Sequence, residues 1–103
     1  MLSSRFCIPA SHPCLADHFP GQPIAPGVLT LDLVARGLLD QLAGAVLAGF
    51  PQVKFLQPVL PGQEVEVRYT MKQDGLYQFS CVCGETTLVS GRIQLVGEET
   101  TLG

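Results

Sequence analysis

Charge is scarce in this chain. Only 15% of its 103 residues are charged, against 47% that are hydrophobic. That balance excludes a disordered chain and supplies a core for one domain, expected to span residues 1–103. So little charge also points to a surface partly covered by a partner subunit. No basic run exists and the formal net charge is −3, so the electrostatic footprint of a nucleic-acid binder is missing. The first residues, Met1-Leu2-Ser3-Ser4-Arg5-Phe6, lack the charged start and apolar run of a signal peptide, and a cytoplasmic location is expected. The longest apolar stretch, residues 28–50, is interrupted by Asp32, Arg36, Asp40 and Gln41. A membrane span rarely carries three charges at that depth, so the stretch reads as a buried helix. Cys7, Cys14, Cys81 and Cys83 form no C-x-x-C pair, and the histidines are not spaced as zinc ligands. The cysteines read as small buried hydrophobes in a reducing compartment. No metal, nucleotide or flavin is implied.

What is present has a clear order. Ser3 to Ile8 reads as a short strand. Residues 9–26 hold five of the eight prolines and Gly21, which excludes a regular helix or central strand. An irregular segment of that length in so small a domain is commonly functional. Pro26 and Gly27 then open a helix. Its apolar residues, Leu31, Val34, Leu38, Leu42, Ala45 and Val46, recur mostly in steps of three or four, and Gly49 and Pro51 mark its expected end. Leu33, Leu39 and Leu47 widen the stripe, so something must wrap this helix. The remainder reads as strands. Gln52 to Gln57 is the first, with a turn over Pro58 to Gly62. Val65, Val67, Tyr69 and Met71 alternate with polar residues along the second. Asp74-Gly75 is a hairpin turn. Tyr77, Phe79, Cys81 and Cys83 share one face of the third strand. Gly84-Glu85 turns again, and Val89, Gly91, Ile93 and Leu95 share a face of the last. Pattern alone makes this an α+β chain with an antiparallel sheet. A single sheet wrapped around one central helix, the hot-dog arrangement, satisfies the outline.

The chemistry concentrates around the start of the helix, in Asp17-His18-Phe19-Pro20-Gly21-Gln22-Pro23-Ile24-Ala25-Pro26-Gly27-Val28-Leu29, with Asp32 following. A helix start presents unpaired N–H groups and the positive end of the dipole, and Gly27 has no side chain to keep a ligand oxygen away. His18 titrates near neutral pH, so its neutral imidazole can take a proton. Asp32 on an apolar helix is expected to be buried, which would let it act as an acid. An oxyanion donor, a base and an acid suit removal of a proton alpha to a carbonyl. Spacing alone leaves plainer readings open. His18 also fits a turn residue, Asp32 an exposed first-turn acid, Gly27 a simple helix-start glycine, and Asp32, Arg36 and Asp40 a solvated helix face.

The motif His18-Phe19-Pro20-Gly21-x-Pro23-x-x-Pro26-Gly27-Val28-Leu29, with an acid fourteen residues after the histidine, resembles the signature of bacterial beta-hydroxyacyl-ACP dehydratases. Lys54-Phe55-Leu56-Gln57-Pro58-Val59-Leu60-Pro61-Gly62 resembles that family's strand and turn after the central helix. The resemblance runs from about Ser3 to Leu95. It implies dehydration of a 3-hydroxyacyl thioester to a trans-2-enoyl thioester in fatty acid or related acyl-chain biosynthesis, without a cofactor. By position it implies His18 as catalytic base, Asp32 as catalytic acid and the Gly27 amide as the donor to the thioester carbonyl. It also implies a dimer whose sites join the histidine of one chain to the acid of the other. An acyl tunnel would lie at that interface, with Phe19, Val28 and Phe55 as lining residues; ordinary core is the plainer reading of these three. The substrate would arrive on an acyl carrier protein, which is acidic, so Arg5, Lys54, Arg68 and Arg92 are candidate docking residues.

Departures from the family pattern matter. Relatives often carry Gln where this chain has Arg36, and a guanidinium beside Asp32 would favour the carboxylate unless it points elsewhere. Val28 stands where the isomerising branch often has Cys. The family usually has more residues before the first strand, so a shorter or more open tunnel is expected. Two other functions fit the same scaffold: a hot-dog acyl thioesterase, and a non-catalytic subunit that binds acyl carriers.

Overall fold

The computed structural model describes residues 2–9 and 27–97. In chain order they form β1 (Leu2–Phe6), α1 (Gly27–Leu39), β2 (Val46–Phe55), β3 (Val65–Gln73), β4 (Leu76–Cys83) and β5 (Thr86–Val96). The strands make one sheet in the order β1-β3-β4-β5-β2, and every neighbouring pair is antiparallel. One sheet packs on one helix, as the outline requires.

Alternation along the strands decides which face meets the helix. Val65, Val67 and Tyr69 of β3, Tyr77, Phe79 and Cys81 of β4, and Val89, Ile93 and Leu95 of β5 are buried. Leu88 is buried beside Val89, because a register shift between Cys81 and Val82 interrupts the alternation there. Met71 was expected inside with its β3 neighbours but is 58% exposed. It lies where the β3–β4 register slips. At the tight β3–β4 turn Gly75 takes φ 76°, a conformation that favours glycine. Phe50 of β2 meets Phe79 edge-on, with ring centroids 5.9 Å apart.

The helix presents Thr30, Val34, Ala35 and Leu38 to this core. The row Thr30, Val34, Leu38 repeats every four residues, so these side chains stack on one face. Tyr69 ties the helix to the sheet and is itself held by a neighbouring strand. The Tyr69 hydroxyl donates to the Val34 carbonyl at 2.6 Å and accepts from Ser4 Oγ at 3.0 Å. Burial pushes the Tyr69 phenol up to about 12, and the Ser4 hydrogen bond acts the other way. Gly37 lets the helix come this close, because a Cβ there would collide with Ser4 Oγ and stand 2.8 Å from the Tyr69 hydroxyl.

The helix is shorter than its apolar period suggested. It ends at Leu39 rather than near Gly49, and the residues from Val46 onward belong to β2. The turn tightens through Gln41 N–H to Leu38 O and Leu42 N–H to Leu39 O. Gln41 Nε2 donates to the exposed Gly37 carbonyl at 2.8 Å and to Ser3 O of β1 at 2.9 Å. Gly44 then reverses the chain at φ 79°. A short apolar run has no period of its own, so Val46 to Phe50 reads equally as helix or strand until a partner is known. Their partner is β5: Val46 and Leu47 pair with Val96 and Leu95. Pro51, read as a helix stop, lies within β2, between Gly49 and Gln52, where the pairing with β5 slips. Proline is tolerated because β2 is an edge strand.

Cys81 is buried, Cys83 is half-buried and Cys7 is exposed, all as free thiols. Cys7 therefore departs from the expectation of a buried thiol, and Cys14 lies outside the described residues.

Candidate active site

The two motifs meet at the helix start. Gly27 is the first residue of α1, and Phe55, the last of β2, lays its ring over it: a Cβ on Gly27 would stand 3.0 Å from Phe55 Cζ. Beside them lies a cleft of about 440 Å³ lined by Gly27, Thr30, Phe55, Leu56, Gln57 and Val59, with Pro58 at its edge. The strand end and turn thus close over the first turn of the helix. The cleft is mostly apolar, as an acyl chain requires, and it lies against the first turn of α1, where the backbone N–H groups have no partner within the helix.

Two of the three predicted lining residues are not core of this chain. Phe55 is 54% exposed and Val28 is 78% exposed. Leu56 adds to the uncovered apolar surface. His18 and Phe19 lie outside the described residues.

Asp32 departs from its expected burial. Its side chain is 50% exposed, and Arg36 Nε stands 2.8 Å from its Oδ2. Helical spacing explains the exposure. Val28, Asp32 and Arg36 repeat every four residues along one row, nearly opposite the buried row of Thr30, Val34 and Leu38. Arg36 does point at the acid. Between two exposed side chains such a pair contributes at most about 0.5 kcal/mol, so its effect is to orient the carboxylate. Within one chain the geometry brings Gly27 and Phe55 together, while Asp32 faces away from their cleft.

Thr30 was missed. It is wholly buried, borders the cleft, and its Oγ1 has no hydrogen-bond partner among the described residues. Extending the Val34–Leu38 period one turn backward would have flagged a polar residue at a core position. Cys81 is no nucleophile, since burial pushes its thiol up to about 12.

The family profile described as ApeI-like, ApeI dehydratase, matches residues 1–92. This chain belongs to the ApeI-like dehydratase family. It is also 40% identical to the 3-hydroxyacyl-[acyl-carrier-protein] dehydratase FabZ of Haemophilus influenzae, over 73% of its own length and 58% of the relative's. FabZ of Mannheimia succiniciproducens gives 40% identity, over 73% and 57%. The chain therefore spans less than two thirds of the length of these curated relatives. Among solved structures it resembles the dehydratase heterocomplex ApeI:P from Xenorhabdus doucetiae, at 25% identity and a TM-score of 0.79, covering 90% of this chain and 84% of that one. A point mutant of the fluoroacetyl-CoA-specific thioesterase FlK shares only the fold, at 14% identity and a TM-score of 0.72, over 99% and 93%. This member of the family has the hot-dog fold. Among its described residues no helix is long and apolar enough to cross a membrane.

Proposed function

We propose that this protein dehydrates a 3-hydroxyacyl thioester carried by an acyl carrier protein, giving a trans-2-enoyl thioester and water, as part of acyl-chain biosynthesis in the cytoplasm. The observation that carries the reading is the meeting of the two motifs, with Gly27 lining a mostly apolar cleft together with Phe55 to Val59. The thioester carbonyl would sit on the Gly27 amide, which is preorganised to hold the charge that builds on oxygen. His18 would take the alpha proton. The alpha C–H electrons form the double bond as the beta C–O bond breaks, and Asp32 would protonate the departing hydroxyl. No cofactor is required for this elimination.

Asp32 faces away from the cleft of its own chain, which favours a site completed by a second copy. The exposed side chains of Val28, Val46, Leu47 and Phe55 and the open edge of β2 are what such a copy would cover. A homodimer with sites at its interface accounts for both, and light scattering tests it.

Lys54 and Arg92 support docking of an acidic carrier. They project from the outer face of the sheet into one shallow depression with Gln52, Gln78 and Ser90. Arg68, by contrast, is held by Glu66 at 3.1 Å, and Arg5 shares its depression with Glu64 and Glu66.

One observation favours a second reading. An Asp32 carboxylate held by Arg36 suits activation of a water for thioester hydrolysis. Both readings are tested by incubating 3-hydroxyacyl carrier protein with the enzyme and following the acyl group by mass spectrometry. Loss of water from the intact thioester, abolished in His18→Ala and Asp32→Asn, supports dehydration. Release of free carrier thiol supports the thioesterase.

A further inference from the structure

Thr30 poses a problem that the fold does not answer. Its side chain is wholly buried on the core face of α1, and its hydroxyl has no partner among the described residues. A threonine in a helix ordinarily turns its hydroxyl onto a carbonyl three or four residues back. This one does not, although burying an unpaired hydroxyl is unfavourable. Valine would fill the same space, between Leu29 and Leu31 and one turn before Val34, without that cost. Packing therefore gives no reason for a hydroxyl here.

Its position gives one. Thr30 borders the same cleft as Gly27 and Phe55, three residues along the helix from Gly27. Residues so spaced lie on neighbouring turns about 5–6 Å apart, and two donors at that separation can converge on one oxygen at ordinary hydrogen-bond lengths. Phe55, half exposed, lines the same cleft with its ring against Gly27. Among the lining residues, which are mostly apolar apart from Gln57, Thr30 is the one that carries a hydroxyl.

We propose that Thr30 is a substrate-positioning residue whose Oγ1–H donates a second hydrogen bond to the thioester oxygen held by the Gly27 amide. The inference rests on the dehydratase reading and deepens it, since it gives this chain two converging donors where the resemblance implies only the amide. Because the charge on that oxygen grows as the alpha proton leaves, the bond strengthens towards the transition state and acts on kcat more than on KM.

The test compares Thr30→Val and Thr30→Ser with the wild type in three measurements: steady-state dehydration of a 3-hydroxydecanoyl carrier protein, calorimetric binding of trans-2-decenoyl pantetheine thioester, and thermal unfolding. Thr30→Val is expected to lower kcat about tenfold with little change in KM, to bind the probe about threefold more weakly, and to unfold at the same temperature or higher. Thr30→Ser keeps the hydroxyl and is expected to recover most of kcat. Thr30→Val equal to wild type in turnover and binding overturns the proposal and leaves the dehydratase reading intact. So does a loss of activity that follows a lowered unfolding temperature and that serine does not rescue. If the wild type binds the probe without turnover, the dehydratase reading fails, and the affinity ratio alone decides the role of Thr30. If the wild type neither turns over nor binds, both fall.

Discussion

The ring of Phe55 lies against Gly27, so close that a Cβ at position 27 would stand 3.0 Å from Cζ and 3.3 Å from Cε1. The end of an edge strand and the start of the helix thus form one feature. It is the feature on which the proposed chemistry depends.

Gly27→Ala is accordingly expected to separate activity from stability. Phe55 is half exposed and can move by the few tenths of an ångström required, so unfolding should shift by less than about 1 kcal/mol. The added methyl stands where a thioester oxygen must approach, and kcat/KM for dehydration should fall at least about tenfold. Denaturant unfolding beside steady-state kinetics checks both halves. Unchanged kinetics would remove the Gly27 amide from the mechanism.

Gly37→Ala should do the opposite. Its Cβ has no room between Ser4 and the Tyr69 hydroxyl, so the helix must lift from β1 and β3 and strain the Tyr69–Val34 bond. A loss of about 2 kcal/mol is expected from this overpacking. Gly49→Ala, where nothing lies within 4 Å of the new Cβ, is the control and should stay within about 0.5 kcal/mol. Urea midpoints compare the two.

Tyr69 predicts how stability responds to alkali. Its folded pKa is raised from 10.0 to about 12 by burial. The folded state therefore keeps the proton after the unfolded state has released it. This contribution is complete below pH 10, and it declines as pH rises from about 10 to about 12. Tyr69→Phe should lose the bond to Val34 and flatten the decline. Chemical denaturation across that pH range, with absorbance titration of the phenols, is the measurement.

Lys54→Glu with Arg92→Glu should impair carrier-bound substrate while sparing a soluble pantetheine thioester. Both residues point outward and share a depression away from the Gly27 cleft. Charge reversal opposes an acidic carrier by repulsion, so KM for the carrier-bound form should rise about tenfold at low salt and by less as salt is added. Equal losses on both substrates would disprove a docking role.

The cysteines are expected to divide by exposure. Brief alkylation of the native protein followed by peptide mapping should label Cys7, which is exposed. It should leave Cys81 unlabelled until unfolding, because that thiol is buried and held at about 12. Rapid native labelling of Cys81 would contradict the packing of β4.

Element order, the antiparallel character of the sheet and most of the inward faces of β3, β4 and β5 were legible in the residues alone; Met71 and Leu88 were not, because register shifts decide them. Period-two alternation in Val65 to Tyr69 and Tyr77 to Cys81 is a local property that one strand carries by itself. The motif around Gly27 was legible for a similar reason, since its prolines and glycines restrict the backbone whatever surrounds them. Where α1 ends was settled only by the assembled fold, because Val46 to Phe50 are strand solely through pairing with β5. The same holds for Asp32 and Arg36, which lie on the outer row of the helix, paired to each other, while Thr30 lies on the inner row. A helix apolar around most of its circumference does not say which side the sheet takes. That choice falls to the shape of the whole surface, to Gly37 fitting over Ser4 and Tyr69, and no stretch of sequence contains it.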